Sequence, residues 1–148
     1  MASSALYLGM QPGFYSKNCQ TQGNAVAACL DMLVRACNEV PYNHNQPLQV
    51  AEWGCSHGVN SILPVAVICE TLRQRHAETA AVDAHSVRLC MPAGGQDYPL
   101  EIHITHEDVP GNDWSSMMAA IQEYQQLVDR VDCPPGFSLT SACTGTSM

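Results

Sequence analysis

The sequence predicts an α/β fold: a parallel sheet of about three strands flanked by helices. Three observations carry this. Strand-like stretches at 48–53, 100–105 and 137–143 alternate with stretches of helical period. Each intervening stretch is long enough to cross back over a sheet, which implies parallel pairing through right-handed crossovers. A glycine turn, Gly54-Cys55-Ser56-His57-Gly58, links the first strand to the helix that follows it.

Taken in order, residues 1–13 read as irregular and 14–22 as a polar stretch before a helix. From 24 to 40, Val26, Cys29, Leu30, Leu33, Cys37 and Val40 recur at steps of three and four, an amphipathic helix that Pro41 ends. A polar loop leads to the strand at 48–53, whose assignment rests on the glycine turn after it. Asn60 or Ser61 can cap the next helix, and Pro64 falls in its first turn, where a missing N–H is tolerated. Ile62, Leu63, Val65, Val67 and Ile68 make this helix apolar on most sides, so it is predicted buried, running to about Ala77.

Residues 77–96 are open to more than one reading, with a possible short strand at 86–91 and a turn at 92–95. Leu100, Ile102 and Ile104 then alternate with Glu101, His103 and Thr105, the period of a strand. An acidic loop follows at 106–113. Asp113 or Ser115 can cap a helix whose apolar face is Trp114, Met117, Met118, Ile121, Tyr124, Val128 and Val131. Pro134-Pro135-Gly136 breaks it, 137–143 is the third strand, and Gly145 starts another turn.

The bulk properties bound the function. A chain of 148 residues, 46% apolar, suits one domain with a core. A net charge of −8 with only six Lys plus Arg argues against a nucleic-acid partner, whose phosphates bind through cations. No apolar run approaches the roughly 18 residues of a membrane span, and the N-terminus lacks the basic and apolar regions of a signal peptide. Eight cysteines include no Cys-x-x-Cys pair, and Cys29, Cys37 and Cys69 fall on apolar helix faces. Free thiols in a reducing compartment, the cytoplasm, are the expectation.

The chemistry concentrates where the strands end. Glycines at Gly54 and Gly58 do not make the three-glycine dinucleotide fingerprint; the spacing is closer to the looser loop of S-adenosylmethionine (SAM) enzymes. Glu52 ends the first strand and Asp108 lies just beyond the second, at the edge where open α/β sheets bind ligands. A carboxylate there can accept both hydroxyls of a ribose, or be an ordinary solvated loop residue. His103 and His106 have a metal-like spacing, but residues three apart on a strand face opposite ways. His57 beside Cys55 and Ser56 can be read as a nucleophile pair, with no acidic orienter in view, or as part of a polar loop.

Three motifs together resemble the SABATH family of SAM-dependent carboxyl methyltransferases, which includes salicylate, jasmonate, indole-acetate and xanthine methyltransferases. They are Tyr15-Ser16-Lys17-Asn18-Cys19-Gln20-Thr21-Gln22, then Ala51-Glu52-Trp53-Gly54-Cys55-Ser56-His57-Gly58-Val59-Asn60, then Glu107-Asp108-Val109-Pro110-Gly111-Asn112-Asp113-Trp114. The resemblance implies a Rossmann-like, class I SAM methyltransferase sheet, with 14–148 as the N-terminal part of that domain. It implies that Tyr15 and Cys19, the latter where the family has Ser, lie against SAM. Glu52, standing for Asp, would hold the methionine part with Gly54, Cys55 and Asn60. Asp108 would take the ribose hydroxyls, with Val109 beside the adenine. Thr146 and Ser147 would stand near the adenine in a segment that lacks the family's Phe, and Gln22 would meet the carboxyl group of a small-molecule acid.

In the family the acceptor carboxylate attacks the sulfonium methyl, so alignment and exclusion of water matter more than a general base. The chain stops with more than half of the family's length to go. The expectation is therefore a sheet truncated after three strands, a first strand left as an open edge, and a fragment inactive by itself. A homodimer is implied only for the full length. The alternatives are a non-catalytic SAM-binding remnant and an unrelated small α/β enzyme using His103 and His106 with a metal.

Overall fold

The computed structural model describes residues 14–41, 43, 46–87, 100–130 and 137–145. In chain order these form α1 (Phe14–Asn18), α2 (Gln20–Ala28), α3 (Leu30–Glu39), β1 (Leu48–Trp53), α4 (Ile62–Val87), β2 (Leu100–Asp108), α5 (Trp114–Arg130) and β3 (Phe137–Gly145). The strands make one sheet in the order β1-β2-β3, with both pairs parallel. Leu48 lies opposite Ile102 and Glu52 opposite His106, while His106 lies opposite Cys143 and Asp108 opposite Gly145. The α/β class and the parallel sheet predicted from the sequence are therefore present.

The strand period decides where the core sits. Leu48 and Val50 share a face with Leu100, Ile102 and Ile104, and that face packs with Leu33 and Cys37 of α3. Val65, Ile68, Cys69 and Leu72 of α4, and Tyr124 of α5, close the same cluster. Each large aliphatic side chain taken out of water there contributes about 1.5–3 kcal/mol. A second cluster of Cys55, Met117 and Ile121, with Trp114 and Cys143 against it, joins the glycine turn to α5. The other face of β1 carries Gln49, Ala51 and Trp53, all exposed, with Trp53 at 76%. Arg75 of α4 fastens α3 to α4: its Nη1 donates to the carbonyls of Cys37 (2.9 Å) and Val40 (2.6 Å) at the end of α3. A cation on those last carbonyls also suits the negative end of the helix.

Several boundaries differ from the sequence expectation. The stretch 14–18, expected to be non-helical, is the short helix α1. The helix expected at 24–40 starts at Gln20 and breaks at Cys29, whose N–H bonds three residues back to Val26 (3.0 Å). Such a tightened turn re-aims the chain, so α2 buries nothing while α3 buries Cys37. Cys29, expected on the apolar face, is exposed, whereas Cys37 and Cys69 are buried as expected. Helix α4 runs on through Val87, so Ser86 and Val87 are helical rather than the start of a strand. Strand β2 continues through His106 and Glu107 to Asp108, and β3 continues to Gly145, which pairs with Asp108 instead of opening a turn. Met118 is exposed although it sits in the expected stripe, while Met117 is buried. The readings for 1–13, 88–99 and 131–136 lie outside the described residues.

Candidate functional site

Both glycines of the β1–α4 turn adopt left-handed backbone, Gly54 at φ 78° and Gly58 at φ 84°. This conformation is open to glycine and uncomfortable for other residues. The two differ in their surroundings. A Cβ on Gly54 would meet nothing within 4 Å, whereas one on Gly58 would meet the Met117 sulfur at 2.5 Å and Ala120 at 3.3 Å. Gly58 is thus a packing glycine under α5, and Gly54 leaves the backbone open to an approaching group.

The third motif reaches across to this turn. The N–H groups of Gly54 (2.8 Å) and Cys55 (3.3 Å) donate to the Glu107 carbonyl. Asp108 receives the Ser56 N–H on Oδ2 (2.6 Å) and the Val109 N–H on Oδ1 (2.7 Å). Asn112 Nδ2 donates to the Ser56 carbonyl at 2.5 Å. Each oxygen of Asp108 keeps further acceptor capacity, because a carboxylate offers about four lone-pair directions. Gly58 N–H closes on Cys55 O (3.1 Å), and the Ser61 hydroxyl also donates to Cys55 O (3.4 Å) instead of capping α4.

On the other side, Asn60 ties the turn to α1 and α2. Its Nδ2 donates to the Tyr15 hydroxyl and to the Cys19 carbonyl, both at 3.4 Å, and the Cys19 thiol faces its Oδ1 at 3.9 Å. Gly23 permits this approach, since a Cβ there would stand 3.0 Å from Asn60 Oδ1. Tyr15, Cys19, Asn60, Cys55 and Gly54 are therefore brought to one end of the sheet with Glu52, Asp108 and Val109. Gln22 is exposed on α2 and has no contact with this group among those described. Thr146 and Ser147 lie outside the described residues.

Glu52 is not a bare carboxylate. Its Oε2 receives Nδ1 of His106 at 2.7 Å, across the β1–β2 register. His106 is buried and continues the apolar column of Leu100, Ile102 and Ile104; its Nε2 has no hydrogen-bond partner. His103, on the opposite face, bonds to Glu101 (2.8 Å) and Gln49 (3.2 Å). Because β2 runs unbroken through both histidines, they cannot share an ion, which removes the metal-enzyme alternative.

The nucleophile reading of the turn also fails. His57 is 0% exposed, with neither ring nitrogen hydrogen-bonded, and stands edge-on to the Tyr15 ring at 5.7 Å. It therefore activates neither Cys55 nor Ser56. The Cys55 thiol is pushed up to about 12, by burial first and then by the charges of Asp108, Glu52 and Cys143. An activated thiol would be shifted the other way.

The donor set also selects among ligands. The N–H groups of Gly54, Cys55, Ser56 and Gly58 are engaged within the protein, no Lys or Arg occurs from 52 to 61, and two carboxylates flank the opening. That suits hydroxyls and positive charge, and disfavours a phosphate. A sulfonium-bearing nucleoside fits these residues. The sequence assigned no structural role to Ser56, Asn112 or Gly23 and did not show the Glu52–His106 pairing. For the first two, the signal was present in the matched motifs, but which backbone atom each touches is not written in the sequence.

Residues 3–145 match the model of a family described as SAM-dependent carboxyl methyltransferases. Among curated proteins, Methyltransferase LUC1 of Fusarium sp is 26% identical over 125 residues, which is 82% of this chain and 28% of that protein. Among solved structures, a loganic acid methyltransferase with SAH aligns with a TM-score of 0.59 at 20% identity, over 90% of this chain and 31% of that one. At that identity the likeness establishes the fold. The chain spans 28% and 31% of the lengths of these two relatives.

Proposed function

The chain belongs to the SAM-dependent carboxyl methyltransferase family, and on that premise we propose that it carries the cofactor-binding part of an enzyme that methylates the carboxyl group of a small-molecule acid. The observation that supports this best is Asp108, bonded to the Ser56 N–H of the turn that also carries the open Gly54, at the carboxyl end of a parallel sheet. In this reading Asp108 accepts the ribose hydroxyls with its remaining lone pairs, and Val109 lies beside the adenine. Glu52, steadied by His106, holds the amino-acid end together with Gly54, Cys55 and Asn60, while Tyr15 and Cys19 close over it. Thr146 and Ser147 belong to the adenine side, and Gln22 meets the acceptor.

SAM, when bound, supplies a methyl group on a positively charged sulfur. The protein's own task is to orient and to shield. Glu52 and Asp108 place negative charge near that end of the sheet. A carboxylic acid is already ionised at neutral pH, so the reaction asks for no proton to be removed. The turn and α1 exclude water while the reacting groups are aligned.

Calorimetric titration of the chain with S-adenosylhomocysteine (SAH) tests the reading. Binding by the wild type, weakened about tenfold or more by Gly54→Ala and by Asp108→Ala, is expected. A wild type that gives no binding heat sinks it. Methyl transfer to a panel of small carboxylic acids separates an enzyme from a SAM-binding remnant. We further place residues 14–148 in one domain and the protein in the cytoplasm. Among the described residues Cys29, Cys37, Cys55 and Cys143 are thiols, with Cys37 and Cys55 buried, which supports the latter. Among the described residues no helix is long and apolar enough to cross a membrane. A homodimer for the full-length protein only, and the lack of a nucleic-acid partner, complete the proposal; the acidic charge supports the second.

A further inference from the structure

Ser56 is the one non-glycine residue with a left-handed backbone among those described, at φ 50°. It is 8% exposed and sits midway between the two glycines. A serine pays a steric penalty there that glycine does not. The polar groups on both sides of its Cα are held by the same segment. Asp108 takes the N–H at 2.6 Å, and Asn112 donates to the carbonyl at 2.5 Å. Asn112 is itself 7% exposed and fixed: its Oδ1 receives the Asp113 N–H (2.9 Å), and its own N–H bonds to Val109 O (3.0 Å). A grip on the two ends of one residue constrains φ and ψ together, which a single hydrogen bond does not.

We propose that Asn112 is a positioning residue of the cofactor turn: with Asp108 it pins Ser56 in the left-handed conformation and so sets the path of the backbone from Gly54 to Gly58. Its effect on the ligand passes through Ser56. That part of the inference rests on the reading of the turn as a SAM site, whereas the clamp itself does not.

The test is a rescue. Asn112→Ala, Ser56→Gly and the double variant are made in the full 148-residue chain, with Ser56→Ala and its double as controls. Two quantities are read: the thermal midpoint and the SAH affinity by calorimetry. Asn112→Ala in the native background is expected to lower the midpoint by about 3 °C or more and to weaken SAH about tenfold. In the Ser56→Gly background both losses shrink to less than half, because glycine keeps the left-handed turn without the clamp. In the Ser56→Ala background they persist. Equal losses in all three backgrounds would overturn the proposal, leaving Asn112 as a brace for Asp113 alone. If the wild type does not bind SAH, the functional reading fails by itself, and the midpoints still decide the clamp by the same comparison.

Discussion

At the scale of single residues, the turn after β1 divides its labour between two glycines that look alike in sequence. Gly54 and Gly58 share a left-handed φ, so alanine at either position carries a conformational cost of about 1–2 kcal/mol. Only Gly58 lies against Met117 and Ala120, so Gly58→Ala adds overpacking of about 1–3 kcal/mol. Urea unfolding should therefore rank Gly58→Ala below Gly54→Ala in stability, although Gly54→Ala is the one expected to harm SAH binding. Equal stabilities would mean that Met117 moves aside freely. The thiol of Cys55 offers a second check. Its raised pKa means that the fold favours the protonated form. That stabilisation is complete below the ordinary thiol range and is lost as pH rises toward about 12. At about pH 8.5, iodoacetamide should label the exposed Cys29 in the native chain and spare Cys55. Labelling of Cys55 at a rate like that of Cys29 would contradict both its burial and its shift.

At the scale of elements, α5 shows how a local signal can be read correctly while its partner goes unseen. Asp113 was one of two candidate caps, and its Oδ1 does receive the Ser116 N–H (3.1 Å) while the Ser116 hydroxyl returns to Oδ2 (2.7 Å). Asp113→Ala should cost about 1 kcal/mol in denaturant unfolding, and Asp113→Asn clearly less. A loss no larger than that of a surface substitution would remove the cap. The alternation of Leu100, Ile102 and Ile104 likewise announced β2, because one face of it is core. What the pattern could not announce was its end. His106 is polar, yet it occupies the next core-facing position, buried and paired with Glu52 from the neighbouring strand. A pairing between residues so far apart in sequence has no local trace. The break at Cys29 is similar: the period of three and four continues across it, and no glycine or proline marks it. The site was legible to the extent that its residues were motif residues. Asp108 and Asn112 were visible as letters, and their common hold on Ser56 appears only once β2 and the turn lie side by side.

At the scale of the whole molecule, the apolar cluster lies on one face of the sheet, and β1 presents the other through Gln49, Ala51 and Trp53. A parallel sheet usually has both faces covered. The polar residues Gln49, Glu101 and His103, bonded to one another on that second face, lower the cost of leaving it wet. The indole of Trp53 does not, at 76% exposure. The sequence holds two tryptophans, and the other, Trp114, is half-buried against the Cys55–Met117 cluster. Acrylamide quenching separates them. Trp53→Phe should remove the strongly quenched part of the emission while leaving the thermal midpoint almost unchanged, since an exposed ring contributes little packing. If the emission of Trp53 is instead protected in the wild type, and becomes accessible on dilution, a second copy of the chain covers that face in solution. A protected Trp53 at every concentration would mean that the chain itself folds over β1. The net charge of −8 opposes self-association at low salt, so the expected outcome is a quenchable Trp53 in a monomer, with protection appearing, if at all, as salt is raised.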